Sequence, residues 1–549
     1  MSNYLRKNAW DANNGGQFTD KSNEFTALFW YAKAVQVMQS RPIENPTSWW
    51  FYAAIHGEFL INEIKDPNYK YLNWKNISYI SPKADLTALP SSNLVDSFWD
   101  QCQHGTWFFP PWHRGYLVAL ENILRDIIIN ELSGPNDWSL PYWNYLNQST
   151  AYAEFKIPPA FTESSLPDGT ANPLYVPERY GPTGNSDIYV QVGPNIKTSA
   201  NDECQWNETY SASAANNASN NSGLFGQFYG GGETGFSHGG SETGDLEMNP
   251  HNFVHGMVGG ESNSNNQNGL MGVPATAALD PIFYLHHANI DRMWAAWNQT
   301  GKNNNTANPN WLHGPTAQGD RRFEMPIDPS GTAWPFTPED VNSTEHVNYN
   351  GQTYTYTYDD LSLTSYETIP PTKLHEKMLE RFSKLGVRTV EKDFKMTKKR
   401  NPELVGASSG SLTLNSKATK TQVKLQSSSW KSVSNSIMKA SVSKIPDEVY
   451  LQLEGVKGGS DSNFISVYVN EKFVKSISLF GLLAASMTNA AHGNSGLNFK
   501  FNITEIVDDL HLENDLNMDS LNVEIKTKNP LVEGKEITVD RIGIYRVGQ

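Results

Sequence analysis

The sequence holds little of what stabilises small secreted proteins or carries proteins into membranes. Its 549 residues include only two cysteines, Cys102 and Cys204, which excludes a disulfide framework. Cations are outnumbered: 43 Lys and Arg stand against 58 Asp and Glu, and the net charge of −15 argues against nucleic acid or an anionic membrane surface as a partner. No apolar run is long enough to read as a membrane span, and the stretch from Met1 to Gly16 lacks the pattern of a signal peptide. The expectation is a bacterial-type cytoplasmic protein, compatible with a homo-oligomer.

What is present is aromatic and imidazole-rich. Aromatic residues make up 12% of the chain, with 16 tryptophans, and seven of the 13 histidines fall in four short aromatic-flanked stretches before residue 290. These are AAIHGEF around His56, CQHGTWFFPPWHRGYLVALE with His104 and His113, PHNFVHGMVGG with His251 and His255, and DPIFYLHHANIDRMWAAW with His286 and His287. His251 and His255 are four apart, so a helix projects both rings from one face. His113 opens a helical period through Tyr116, Leu117, Leu120, Leu124 and Ile127, and His287 opens another through Ile290, Met293, Trp294 and Trp297. Three of the stretches therefore sit on helices that pack around a central site, with His56 on a fourth. A single buried histidine is more often a satisfied core residue than a ligand, but six arranged in this way point to metal. Imidazoles alone suit copper, zinc, iron or nickel. The HExxH pattern of zinc hydrolases is missing, because Asn252 follows His251 where that pattern has a carboxylate.

The stretch from His104 to Glu121, with Phe109, Pro110, Trp112, His113, Arg114 and Leu117, resembles the CuA signature of the tyrosinase and polyphenol oxidase family. DPIFYLHHANID at 280–291 resembles its CuB signature; LPYWNY at 140–145 and YTY at 356–358 agree more weakly. The resemblance implies a type-3 dinuclear copper centre in a mainly α-helical domain with long loops, where a central four-helix bundle holds the metals. It implies His56, His104 and His113 as ligands of one copper and His251, His255 and His287 as ligands of the other, with His286 left out. It also implies an oxidoreductase with O2 as co-substrate and small phenols as substrates, converting monophenols and o-diphenols to o-quinones. A thioether between Cys102 and His104 is implied by the Cys-x-His spacing as the fungal and molluscan branches use it. Asn252 and a nearby glutamate are implied as holders of a proton-accepting water; Glu247 is the choice, with Glu242 as the alternative. By position on its helix Asp291 is placed to take a ligand N–H or to pair with Arg114 or Arg292, and Phe283 to pack on ligand rings. Plant members have a bulky Phe over the site entrance, where Pro274 stands here, which implies a wider mouth.

Residues 207–245, crowded with Asn, Ser and Gly, read as irregular loop, with His238 solvated. The domains expected are a dicopper domain over 1–361, a linker over 362–409 and an all-β sandwich or jelly roll over 410–549. In the linker Leu374, Met378, Phe382 and Leu385 form an amphipathic helix expected to lie on the main domain, followed by KKR at 398–400, an accessible cleavage site. The third segment carries short alternating runs such as EVYLQLEGV, FISVYVN and RIGIYRV. It resembles the C-terminal domain of plant polyphenol oxidases, which can shield the copper site and keep the enzyme latent; the apolar loop 478–487 is the candidate plug. Alternative functions are a catechol oxidase without monophenolase activity, an o-aminophenol oxidase and a haemocyanin-like oxygen carrier.

Overall fold

The computed structural model describes residues 3–548 other than 12, 62–72, 81–82, 147–154, 191–202, 208, 217–227, 239, 241, 300–304, 363–372, 388–400, 416–417, 442–443, 488–494 and 532–534. Four helices surround the histidines: α1 (Trp49–His56), α2 (Phe109–Asp126), α3 (Asn252–Gly259) and α4 (Ile282–Gln299). The start of α1 is fixed by Ser48, whose hydroxyl accepts the Phe51 N–H at 3.1 Å. Helix α2 begins Phe109-Pro110-Pro111, and proline in a first turn removes N–H groups that have no helical partner in any case. Both α2 and α4 are buried almost all round, so they run through the core and not over its surface.

The ends of this first unit are tied together by a short parallel pairing. Strand β1 (Asn3–Arg6) runs beside β2 (Gln352–Tyr358), with Arg6 opposite Tyr358. That register carries Arg6 into the core, where its guanidinium meets Glu121 of α2 at 2.5 Å and Asp291 of α4 at 3.1 Å.

The C-terminal unit is a nearly closed barrel sheet. Its nine strands among the described residues are β3 (Glu403–Ala407), β4 (Leu412–Thr413), β5 (Thr419–Leu425), β6 (Glu448–Lys457), β7 (Phe464–Val469), β8 (Lys472–Ser478), β9 (Leu497–Asn502), β10 (Ser520–Thr527) and β11 (Thr538–Val547). They join in the order β8-β7-β10-β5-β3-β11-β6-β9, with β4 also on β11. Sandwich, jelly roll and barrel all bury alternate residues, so strand patterns fix the β class but not which strands join in one sheet. Strand β3 lies ahead of the residue 410 boundary expected from the sequence.

Among the described residues, the C-terminal half of helix α5 (Lys373–Lys384) packs on the barrel, where the sequence led to the expectation of the helical unit. Arg381 bonds Asp508 at 2.6 Å and the carbonyls of Pro446 and Asp447, and Leu385 packs on the barrel core. An amphipathic period marks an apolar face without saying which neighbour covers it. The side chains of Leu374 and Met378, and KKR at 398–400, lie outside the described residues.

Candidate metal centre

Each helix delivers a histidine at a point where its local sequence fixes the ring. His56 ends α1, His113 lies one turn into α2, His255 is in α3 and His287 is in α4. His251 immediately precedes α3. His104 lies outside any helix or strand and is held by a glycine-rich strap: its N–H donates to the Ser237 carbonyl at 3.1 Å, and Gly240 N–H donates to the His104 carbonyl at 2.7 Å. The close approach of the two chains requires Gly105, which has φ 62 and leaves no room for a Cβ against Gly240.

The hydrogen bonds at the outer edges of the rings decide which nitrogen faces inward. Nδ1 of His56, His113 and His255 lies 2.9, 2.8 and 2.7 Å from the carbonyls of Pro274, Phe109 and Met271. A carbonyl only accepts, so each Nδ1 carries the proton and each Nε2 presents a lone pair. His251 Nδ1 is held in the same way by Asn252 Oδ1 at 2.8 Å.

The inward nitrogens converge. His251 Nε2 is 3.0 Å from His255 Nε2 and 3.2 Å from His287 Nε2. The rings of His56, His104 and His113 lie 5.2 to 5.7 Å apart, and His113 stacks on His287 at 4.4 Å, which joins the two sets. Burial, reinforced by mutual repulsion among the imidazoles, holds His56, His113, His251, His255 and His287 well below the ordinary histidine pKa, so they are neutral at pH 7. Lone pairs facing lone pairs, with His56 Nε2 and His113 Nε2 buried and without a hydrogen-bond partner among the described residues, are unfavourable unless a cation lies between them. The donor set fits two soft-to-borderline ions such as copper.

Aromatic rings lock this arrangement. Phe283 meets His287 at 4.1 Å and His56 at 4.8 Å, and Phe109 meets His113 at 4.5 Å and His251 at 4.6 Å. Asp291 pairs with Arg114 at 2.5 Å and with Arg6, and accepts the hydroxyls of Tyr356 and Tyr358 at 2.6 Å. Arg292, the other expected partner, bonds Asn289 instead.

The remaining candidates separate by burial. Glu247 is buried and accepts the Gly105 N–H with both oxygens at 2.9 and 3.0 Å; burial raises its pKa to about 8. Glu242 is half-exposed and pairs with Lys500 at 3.5 Å. Cys102 Sγ lies 3.3 Å from His104 Nδ1 and 3.0 Å from His238 Nδ1. His238 is therefore not solvated as expected: the strap presses it against Cys102 and leaves only 21% of its side chain exposed. Loop composition marks irregular backbone, not exposure.

Phe480 is the site residue that the sequence did not single out within its loop. It follows β8, and its ring stacks on His255 at 4.1 Å with planes 16° apart, touching His251 at 5.8 Å and His104 at 5.9 Å edge-on. Its neighbours Leu479, Leu482 and Ala485 point the other way into the barrel core. The loop is thus anchored in one unit while its aromatic ring covers the metal-binding face of the other.

Comparison with known proteins agrees with this geometry. Residues 46–300 match the family model described as the common central domain of tyrosinase, and residues 401–547 match a domain of unknown function, DUF7868. A tyrosinase of Hahella sp. (strain CCB-MM4) is 31% identical over 529 residues, 94% of this chain and 96% of the relative. The latent chloroplastic polyphenol oxidase of Prunus armeniaca is 31% identical over 233 residues, which span 41% of this chain and 35% of that protein. The solved structure of latent apple tyrosinase aligns over 100% of this chain and 98% of its own with a TM-score of 0.53 at 20% identity, a likeness of fold.

Proposed function

The chain belongs to the tyrosinase family of dinuclear copper oxidoreductases, and from that premise we propose that it ortho-hydroxylates monophenols and oxidises o-diphenols to o-quinones, and that its C-terminal barrel keeps it latent. The observation that carries the reading is the pair of interleaved, neutral imidazole sets beneath an aromatic ring that stacks on His255. His56, His104 and His113 would hold one copper, and His251, His255 and His287 the other. The copper pair supplies the activation of dioxygen.

The protein residues supply the rest. The stacking face of His255, covered here by Phe480, receives the phenol ring and orients its hydroxyl toward the metals. A phenol has a pKa near 10 and needs a proton acceptor at neutral pH. Glu247, in its ionised form, takes that proton through a water shared with Asn252, and burial makes that carboxylate a stronger base than a solvated one. Glu242 is turned toward Lys500 and is the poorer choice. Cys102 forms a thioether with His104, its S–H and a ring C–H giving up two hydrogens to O2, the proposed co-substrate, as two-electron oxidant; the bond fixes the ring that lacks a helix to hold it. A tryptic 84–114 peptide lighter by two hydrogens would reveal it, and a titratable free thiol at Cys102 would refute it.

Turnover of tyramine against catechol by copper-loaded, activated protein tests the central reading. Both are expected to be oxidised, and Glu247→Gln is expected to slow tyramine by about 10²-fold or more while changing catechol much less. Oxidation of catechol alone would make the protein a catechol oxidase, and reversible oxygen binding without turnover a carrier.

A further inference from the structure

The three-plus-three assignment leaves one buried imidazole beside the metal site without a task. His286 is fully buried, and its ring stacks on His251 at 5.3 Å and meets His255 edge-on at 4.9 Å. One ring nitrogen from each of His251, His255, His286 and His287 lies within 4.8 Å of the others. The ring is also set in place from behind: His286 Nδ1 lies 3.0 Å from the Tyr145 hydroxyl, while its Nε2 is buried with no hydrogen-bond partner among the described residues. A purely structural histidine would be expected to satisfy both nitrogens, since leaving one dry is unfavourable.

We propose that His286 is a fourth imidazole donor that, with His251, His255 and His287, holds the first metal ion to enter the empty protein. Four neutral nitrogens satisfy a tetrahedral ion completely, whereas three leave it short of a ligand. Capture by four donors and working use by three separates loading from catalysis: a lone ion is held tightly, and one position reopens when the second ion is in place. Tyr145, in the LPYWNY stretch, keeps the fourth ring beside the other three.

This inference rests on the copper reading, and the test separates the two. Metal-free full-length protein is titrated with Co(II), whose visible spectrum reports its coordination, and with Cu(I) against a chromophoric chelator. Three proteins are compared: wild type, Tyr145→Phe, and Tyr145→Phe with His286→Phe. The double variant replaces both partners of the Tyr145–His286 bond by apolar rings, so neither is left facing an unmatched polar group from the other. Tyr145→Phe keeps the imidazole and is expected to bind the first ion within a few-fold of wild type. The double variant is expected to bind it roughly tenfold or more weakly, with a one-equivalent Co(II) spectrum shifted from four-nitrogen to lower coordination and a final stoichiometry still of two ions. Equal affinity and an unchanged Co(II) spectrum in the double variant would overturn the role of His286 and leave the copper centre intact. If none of the three proteins takes up metal, both readings fall together. Should the double variant misfold, nitrogen counting by X-ray absorption on wild type at one equivalent decides the matter: four imidazoles support the proposal and three overturn it.

Discussion

In the proposed reaction a phenol approaching the copper pair uses the face of His255 that Phe480 occupies, with the rings 4.1 Å apart. Fully burying a phenylalanine ring is worth about 1.5–3 kcal/mol, which corresponds to roughly a 10- to 100-fold bias toward the covered state. Phe480→Gly in the uncut chain is therefore expected to raise catechol turnover by about that factor, measured beside a fluorescence check that the barrel stays folded; unchanged turnover would mean the ring is not the barrier. The histidines make a second residue-scale prediction. Five have folded pKa values well below 6.5, so between those values and 6.5 the unfolded chain binds more protons than the folded one. Their contribution is intact above pH 6.5 and is lost progressively as pH falls below it. Melting of the metal-free protein should accordingly shift downward between about pH 7 and pH 5, while copper should leave the folded protein only at more acid pH, where the buried imidazoles themselves take up protons and no longer coordinate. At this scale the sequence was informative wherever spacing implied direction, as for His251 and His255. It was silent on Phe480, because an aromatic residue in an apolar loop reads the same whether it faces its own core or another.

Periodicity carried the helices, since α2 and α4 repeat apolar residues at 3.6-residue intervals and place His113 and His287 on inward faces. What it did not carry is the tie between them. Asp291 of α4 sits between Arg114 of α2 and Arg6 of β1, all buried, and accepts two tyrosine hydroxyls from β2. Arg6 stood outside every motif, and its role depends on a parallel pairing with residues some 350 positions away in the chain, a separation over which no local pattern reports. The two arginines are compensated by carboxylates in a dry core, so removing Asp291 strands positive charge there. Asp291→Ala is expected to destabilise the fold by about 3–5 kcal/mol, read as a lower urea midpoint at unchanged slope, and to weaken copper retention because α2 and α4 each deliver a ligand. A loss below about 1 kcal/mol would show that water reaches the site and screens it.

Two cores, one around the histidines and one inside the barrel, were foreseeable from the change from helical to alternating patterns near the linker; how they face each other was not. The described contacts across that boundary come from residues that look ordinary in sequence. Phe464 of β7 lies against Phe253 at 5.3 Å and fits where Gly256 of α3 has no side chain. Lys535, only 3% exposed, donates to Glu261 at 3.0 Å and to the Asn266 carbonyl at 2.9 Å. Lys500 reaches Glu242 in the same sense, cation from the barrel and acid from the helical unit. The barrel thus brings both an aromatic ring over His255 and a charge-matched rim. Lys535 is the contact most worth reversing, because Glu there would face Glu261 in a dry setting where like charges repel by several kcal/mol. Lys535→Glu is expected to raise the activity of the uncut chain and to speed cutting of the 388–400 segment by trypsin, while a Lys535→Glu, Glu261→Lys exchange restores latency. Activation of the single variant without recovery in the exchange would mean that the substitution damages the barrel itself; recovery identifies the ion pair as the clasp that keeps Phe480 over His255.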